Sequence, residues 1–536
     1  MLAACSSTAK SVSPTSKPAA STAPVKAAPC HPPADGPVKA TPVSGTPSDY
    51  TVTSFDGTQI RVHWFPVPQT STASRPEGEP TVLMGPGWGS GGSTDTTTAG
   101  TQGNVSIKDL HDAGYNVLTW DPRGFGKSTG TIEIDSAAAE GRDVERIIDW
   151  VAKQPGVELD ATDDPRVGMV GASYGGGIQL TTAAIDCRVD AIVPSWAWSS
   201  LTTSLDKAAT PKSGWSTLLY AAAAGRKLDP HIVSANASAT ATATIDAADL
   251  AWFAQRGPGS LVKQIHAPTL FVQGTVDTLF TLDEAVANYT ILRGDGVPTA
   301  MIWYCSGHGV CLTPPGDRQR VAQKTLLWLA RYLKRDTGVD TGPGFELVDQ
   351  KGTSYSADHY PLAAGAPITG DGHGTLALSA TGGSGPAHPA ADNPDLLAHI
   401  VGPITPAKAT NAVNVEIPTG SAASVVVGAP QLRLTYTGTV QVRAAMRPTR
   451  VFAQLVDPTS GVVLGNQITP IEVTLDGRQH TTTVPLEMVA YTTAPGGTIL
   501  LQIVATTVAY AVPRLGGSIT IAAHLTLPVA ADLTAK

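Results

Sequence analysis

The sequence predicts an α/β protein: a mostly parallel sheet with an inserted helical cap, followed by a C-terminal all-β domain. Three observations carry this. Short apolar runs alternate with segments of helical period from about residue 50 to residue 342. About Trp196 to Val262 the alternation stops and helical pieces follow one another without a clear strand. Beyond Gly342, Thr, Val, Gly and Pro rise, and alternating runs separated by turn residues take over.

The 536 residues suggest two or three domains, and 42% hydrophobic with 15% charged residues describes a folded chain with a sizeable core. A net charge of −8 offers no basic footprint, so nucleic acid is not an expected partner. No apolar run reaches the roughly 18 residues of a membrane-spanning helix.

Residues 1–48 form a unit of their own. Leu-Ala-Ala-Cys, residues 2–5, has the form of a bacterial lipobox, although only four residues precede Cys5, without the charged and apolar regions of a secretory signal. Ser, Thr, Ala, Pro and Lys dominate residues 6–48, the composition of a solvated tether. We weigh a chance tetrapeptide at a cytoplasmic N-terminus against an exported lipoprotein with a trimmed start, and expect the second. Cys5 would then carry lipid, and the membrane would be touched only through that anchor. With Cys5 set aside, Cys30, Cys187, Cys305 and Cys311 are an even number, consistent with two bridges in an oxidising compartment. A bridge between Cys305 and Cys311 would clamp a short loop around His308. No second Cys or His pair has zinc-like spacing, so neither a metal nor another cofactor is expected.

Residues 49–342 form the α/β unit. Tyr50 to Val67 alternates around an Asp-Gly turn, as in an antiparallel hairpin. "PTVLMGPGWGSGG" is a strand entering a glycine-rich loop, Ser106 to Ala113 a helix, and "GYNVLTWDPRGFGKSTG" another strand and turn. Ala137 to Lys153 places Val144, Ile147, Ile148 and Val151 at helical spacing before the strand of "RVGMVGASYGG". After "DAIVPSW" comes the cap, about 196–262, including helical Leu218 to Ala224 and "DAADLAWFAQRG". The sheet resumes at "PTLFVQGTVDTLF", a helix covers Asp283 to Leu292, "TAMIWYCSGHG" makes a final strand, and a helix from about Arg318 to Lys334 closes the unit. Residues 343–536 then hold an irregular linker, Leu362 to Ala398, and a sandwich or jelly roll with "QLRLTYTG", "RVFAQLVD", "TILLQIVATT" and "GSITIAAHLTL" as strands.

The chemistry follows from chain order. A glycine on either side of Ser173, two residues away, marks a nucleophile elbow, a turn too tight for β-carbons. A serine hydroxyl needs an adjacent base, itself oriented by an acid. Asp277 and His308 each follow a later strand at its carboxyl end, so all three residues would reach one edge of the sheet. Asp283 and Glu284 compete with Asp277 but suit the start of the next helix. Gly-His-Gly recurs at His373, in the approach to the β-domain. Asp121 and Arg123 read as a buried turn network. The oxyanion hole would take the backbone N–H groups of Tyr174 and Trp88.

Gly171-Ala-Ser-Tyr-Gly-Gly176, together with "DPRGFGKSTG", "GTVDTLF" and the histidine loop, resembles the X-Pro dipeptidyl-peptidase and cocaine-esterase family of serine hydrolases. The resemblance runs from about residue 50 to the end. It implies an α/β-hydrolase fold, a cap inserted before the acid strand and a C-terminal jelly roll, with Ser173 as nucleophile, His308 as general base and Asp277 as its orienting acid. Cocaine-esterase-like members can use a tyrosine side chain in the oxyanion hole, whereas Trp88 serves here only through its backbone.

The implied activity is cleavage of ester or amide bonds in a small-molecule ester or peptide. Acidic residues of the cap are few, Asp206, Asp229, Asp246 and Asp249, beside Trp196, Trp198, Trp215, Trp252 and Phe253. This favours an ester or acyl substrate over a dipeptide, whose ammonium needs carboxylates. The alternative is a non-catalytic surface binding lipoprotein on a hydrolase scaffold.

Overall fold

The computed structural model describes residues 36–68, 77–100, 104–381, 383–384, 409, 411–440 and 447–536. Cys5, Cys30 and most of the predicted tether lie outside them.

An antiparallel run opens the chain: β1 (Lys39–Pro42), β2 (Asp49–Thr53) and β3 (Gln59–Phe65). β4 (Thr81–Gly85), α1 (Ile107–Asp112), β5 (Asn116–Trp120) and α2 (Glu140–Val151) follow. After the small hairpin β6 (Leu159–Ala161) and β7 (Asp164–Pro165) come β8 (Val167–Ala172), α3 (Tyr174–Ile185) and β9 (Val189–Ser195). The cap holds α4 (Leu201–Leu205), a two-residue pair β10 (Asp206–Lys207) and β11 (Thr210–Pro211), α5 (Ser213–Ala222), α6 (Pro230–Thr242) and α7 (Ala247–Phe253). β12 (Thr269–Gly274), α8 (Leu282–Gly294), β13 (Thr299–Tyr304), α9 (Gln319–Tyr332), β14 (Phe345–Val348) and β15 (Ser354–Ala357) complete the α/β part.

The β domain contains β16 (Ile368–Ala377), β17 (Ala412–Pro418), β18 (Val425–Gly428), β19 (Gln431–Val440), β20 (Arg450–Val456), β21 (Val463–Glu472), β22 (Asp476–Pro485), β23 (Val489–Thr492), β24 (Thr498–Val504) and β25 (Gly517–Leu527). A last strand, β26 (Thr534–Ala535), returns to the first sheet. That sheet has twelve strands in the order β1-β2-β3-β5-β4-β8-β9-β12-β13-β14-β15-β26. From β5 to β14 all neighbours are parallel.

Side-chain alternation explains why helices cover both faces. In β12, Phe271 joins the core beneath α2, α3 and α8, while Leu270 and Val272 join the core beneath α1 and α9. Ser106 caps α1: its hydroxyl accepts from the Asp109 N–H while the Asp109 carboxylate accepts from the Ser106 N–H, so two otherwise orphaned donors are satisfied. In the β domain, β16-β25-β19-β22 and β17-β24-β20-β21 form two antiparallel sheets that share one core.

Three expectations are corrected. β1 lies inside the segment read as tether; an edge strand needs only one neighbour, and β1 pairs with β2 while Val38 and Ala40 pack on the core. The α/β sheet does not end with β13, nor the unit at residue 342: the sheet continues through β14, β15 and β26, whose two- to four-residue runs are too short to read as strands. β16 lies within the predicted linker. Its glycines fall on one face because β17 is pressed against them: a β-carbon at Gly370 would lie 2.5 Å from Ile417, and one at Gly372 would lie 2.6 Å from Val415. Here glycine signals close sheet packing rather than a loop.

Glu346 on β14 ties the far side of the sheet together. Its carboxylate accepts from Arg320 Nε and Nη2 at 2.8 and 2.7 Å, and from Lys324 and Lys536. Burial works against the carboxylate, but hydrogen bonds from Arg320 and the charge of Lys324 outweigh it and lower its pKa from 4.5 to about 2. The ionised form is therefore favoured by folding above the ordinary carboxylate value, and the benefit is lost as pH falls towards 2. Glu346→Gln is expected to lower stability by about 3 kcal/mol at pH 7. In denaturant melts at decreasing pH, the difference from wild type should begin to shrink below pH 4.5 and vanish near pH 2.

Candidate active site

Ser173 sits between β8 and α3 with φ 59° and ψ −120°, a backbone conformation that costs a non-glycine residue about 1–3 kcal/mol. The turn is possible because three glycine backbones touch. A β-carbon on Gly175 would lie 2.1 Å from the carbonyl oxygen of Gly85, and one on Gly171 would lie 2.7 Å from the same atom. The elbow thus lifts the serine hydroxyl clear of the sheet edge.

His308 and Asp277 arrive from the loops after β13 and β12. Ser173 Oγ–H donates to His308 Nε2 (2.8 Å), and His308 Nδ1–H donates to Asp277 Oδ2 (2.8 Å). Asp277 is fully buried, and its Oδ1 accepts from the backbone N–H groups of Leu279 and Phe280 at 3.0 and 2.8 Å. The imidazole is boxed edge-to-face by Trp196, Trp215 and Phe280, with ring centroids 6.0, 5.7 and 5.2 Å away. Cys305 and Cys311 are joined in a disulfide, so the loop carrying His308 is closed at both ends; Cys187 is disulfide-bonded as well. Gly307 and Gly309 admit the neighbouring acid loop, where their β-carbons would lie 2.6 Å from Asp277 Cβ and 1.9 Å from the Val276 carbonyl oxygen.

The other residues singled out from the sequence separate by place. Asp283 and Glu284 lie in the first turn of α8, where Glu284 accepts from the N–H groups of Ser199 and Ser200. His373 lies on β16, far along the chain from the hydroxyl. Arg123 pairs with Asp56 and Asp143, and Asp121 accepts from the N–H groups of Gly92 and Lys127, bracing the glycine-rich loop that carries Trp88. Tyr174 opens α3, where an N–H has no carbonyl of its own helix to meet. Trp88 shares a cavity with Ser173 and Tyr174. The Trp88 ring stacks edge-on to Tyr174 and Phe125 at 5.3 and 5.0 Å.

Two features escaped the sequence reading. From β21 of the β domain, Gln467 Nε2–H donates to the Asp277 carbonyl (2.8 Å) and Asn466 Nδ2–H to that of Val310 (3.1 Å), so both loops are held from outside the α/β part. No local motif marks these amides. Below the elbow, Asp135 is completely buried; burial, reinforced by Glu140, raises its pKa well above the ordinary range, against a hydrogen bond with Tyr174 that works the other way. Burial likewise raises Glu140 to about 8. Glu140 therefore favours the neutral acid at pH 7, which limits the charge in the support under Ser173.

Residues 56–309 match the family described as X-Pro dipeptidyl-peptidase (S15 family), the family whose motifs the sequence resembles. A CocE/NonD family hydrolase from Staphylococcus aureus is similar over 90% of this chain and 93% of its own, at 14% identity and TM-score 0.63. An aminopeptidase from a marine-sediment thaumarchaeote is similar over 93% and 99%, at 14% identity and TM-score 0.66. An α-amino acid ester hydrolase is similar over 96% and 100%, at 12% identity and TM-score 0.62. These likenesses establish an α/β-hydrolase fold with a β domain. Among curated proteins, an uncharacterized 31.7 kDa protein of Escherichia coli is 36% identical over 88 residues, 16% of this chain and 29% of that one. The chain thus spans under a third of the length of the curated relatives it matches.

A hydroxyl joined to an imidazole in this way is expected to react with a fluorophosphonate. Mass spectrometry should place the adduct on Ser173 and find none in Ser173→Ala. Removing the buried amide in Gln467→Ala, about 1 kcal/mol of net hydrogen bonding, should slow labelling about fivefold. An unchanged rate would show that the amide does not hold Asp277 in place.

Proposed function

We propose that this chain, whose residues 56–309 match the X-Pro dipeptidyl-peptidase (S15) family, is a serine hydrolase that cleaves ester or amide bonds through an acyl-enzyme. The observation that carries the reading is the unbroken hydrogen-bonded sequence from Ser173 through His308 to Asp277. Ser173 Oγ attacks the substrate carbonyl while His308 Nε2 takes its proton. Asp277 holds the imidazole in the tautomer that leaves Nε2 free to accept, and stabilises the imidazolium that forms. The Tyr174 and Trp88 backbone N–H groups receive the negative charge on the carbonyl oxygen. His308 then gives the proton to the departing alcohol or amine, and water repeats the sequence to free the acid.

An ester or acyl substrate is favoured over a dipeptide. Trp198 and Phe253 line the cavity beside Ser173, and Asp206, Asp229, Asp246 and Asp249 do not. Asp229 and Asp246 instead sit at the starts of α6 and α7, and Asp249 faces His231. An N-terminal ammonium would find no counter-charge there. The disulfides suit an oxidising compartment, in keeping with export and lipidation at Cys5, outside the described residues. The non-catalytic alternative leaves the three joined side chains without a task, and no relative favours it.

Short-chain p-nitrophenyl esters and Ala-Pro-p-nitroanilide, offered side by side to wild type and Ser173→Ala, test this. Ester turnover should exceed anilide turnover, and Ser173→Ala should lose at least about 10³-fold in kcat. Retained turnover in the variant would sink the serine mechanism. Faster cleavage of the anilide would overturn the substrate preference alone.

A further inference from the structure

Two cavities meet at the serine. One runs beneath the cap; the other, the larger, opens along the ends of β4, β8 and β9. Trp88, Ser173 and Leu219 line both, and Trp88 Nε1–H donates to the Leu219 carbonyl (2.8 Å), so the wall between them is fixed. His308 lines only the larger.

From this division, and resting on the acyl-enzyme reading above, we infer that the cap cavity holds an unbranched aliphatic acyl chain while the larger cavity holds the leaving alcohol. The assignment follows from where the proton goes. As the Ser173 Oγ–carbonyl bond forms and the ester C–O bond breaks, the proton taken from Oγ passes from His308 Nε2 to the departing oxygen, which must therefore lie on the side of His308. In the second half, water enters by the space the alcohol vacates, loses a proton to Nε2 and forms the acid, and the proton returns to Oγ. The acyl substituent is left the opposite side, the cap cavity.

The walls there specify its chemistry. Leu201, Leu205, Ile232, Ile245 and Leu279 supply branched aliphatic surface, and among the described lining residues none carries a charge. An ammonium or carboxylate entering would lose its hydration without a partner. Each methylene removed from water instead favours binding about fourfold. Ala235, on α6, is buried in this cavity and does not reach the larger one, so a bulkier side chain there shortens only the acyl space.

The test is kcat/KM for p-nitrophenyl acetate, butanoate, hexanoate and octanoate, and for alanine p-nitrophenyl ester, with wild type, Ser173→Ala and Ala235→Phe. Wild type should gain about fourfold per methylene through hexanoate at least, with the alanine ester well below butanoate. In Ala235→Phe the octanoate-to-acetate ratio should fall at least tenfold. Should that variant not fold, Ile245→Trp is expected to show the same fall. A flat or falling series, with acetate turnover still dependent on Ser173, overturns the acyl assignment and leaves the hydrolase reading standing. No Ser173-dependent turnover of any ester removes both.

Discussion

Everything at the site depends on one constraint, the left-handed backbone of Ser173. No L-residue adopts φ 59° and ψ −120° without support. The support is the junction of β4, β8 and α3, where the backbones of Gly85, Gly171 and Gly175 meet without side chains between them. Parallel pairing of β8 with β4 on one side and β9 on the other fixes this junction, and the Ser173 N–H donates to the Ser195 carbonyl at the end of β9 (2.9 Å). The sheet is thus the clamp that holds the turn.

Around the elbow the dependence runs outward. The hydroxyl donates to His308, which stands where it does because a six-residue separation is closed by Cys305–Cys311 and three aromatic rings box the imidazole. Asp277 orients that ring and is in turn gripped by backbone N–H groups of its own loop and by Gln467 of the β domain. The cap and the β domain are therefore coupled to the site in different ways: one walls the cavity, the other holds loops in position.

What was legible in the sequence was local. Ser173 announced itself through flanking glycines, and Asp277 and His308 through their places after apolar strands, since the strand–loop order of a parallel sheet decides which residues share an edge. Spacing also exposed Cys305 and Cys311. The misreadings have a common cause, in that a residue type was assigned its commonest role. Gly-His-Gly serves two unrelated purposes, admitting the acid loop at His308 and admitting β17 at His373. β14 and β15 are recognisable as strands only through the neighbours they pair with. Gln467 stands 190 residues from Asp277 and lies in a strand buried along nearly its whole length, so no pattern in the chain points from one to the other.

That separation has a consequence for how the protein is made. Ribosomes add about 5–20 residues per second, so roughly 10–40 s pass between the emergence of the acid and that of the amide that steadies it. During that interval a nascent chain carries Ser173, the histidine loop and Asp277 with the last of them unbraced, and β26 has yet to join the sheet. A chain that ends before β21 accordingly lacks the brace on its acid loop.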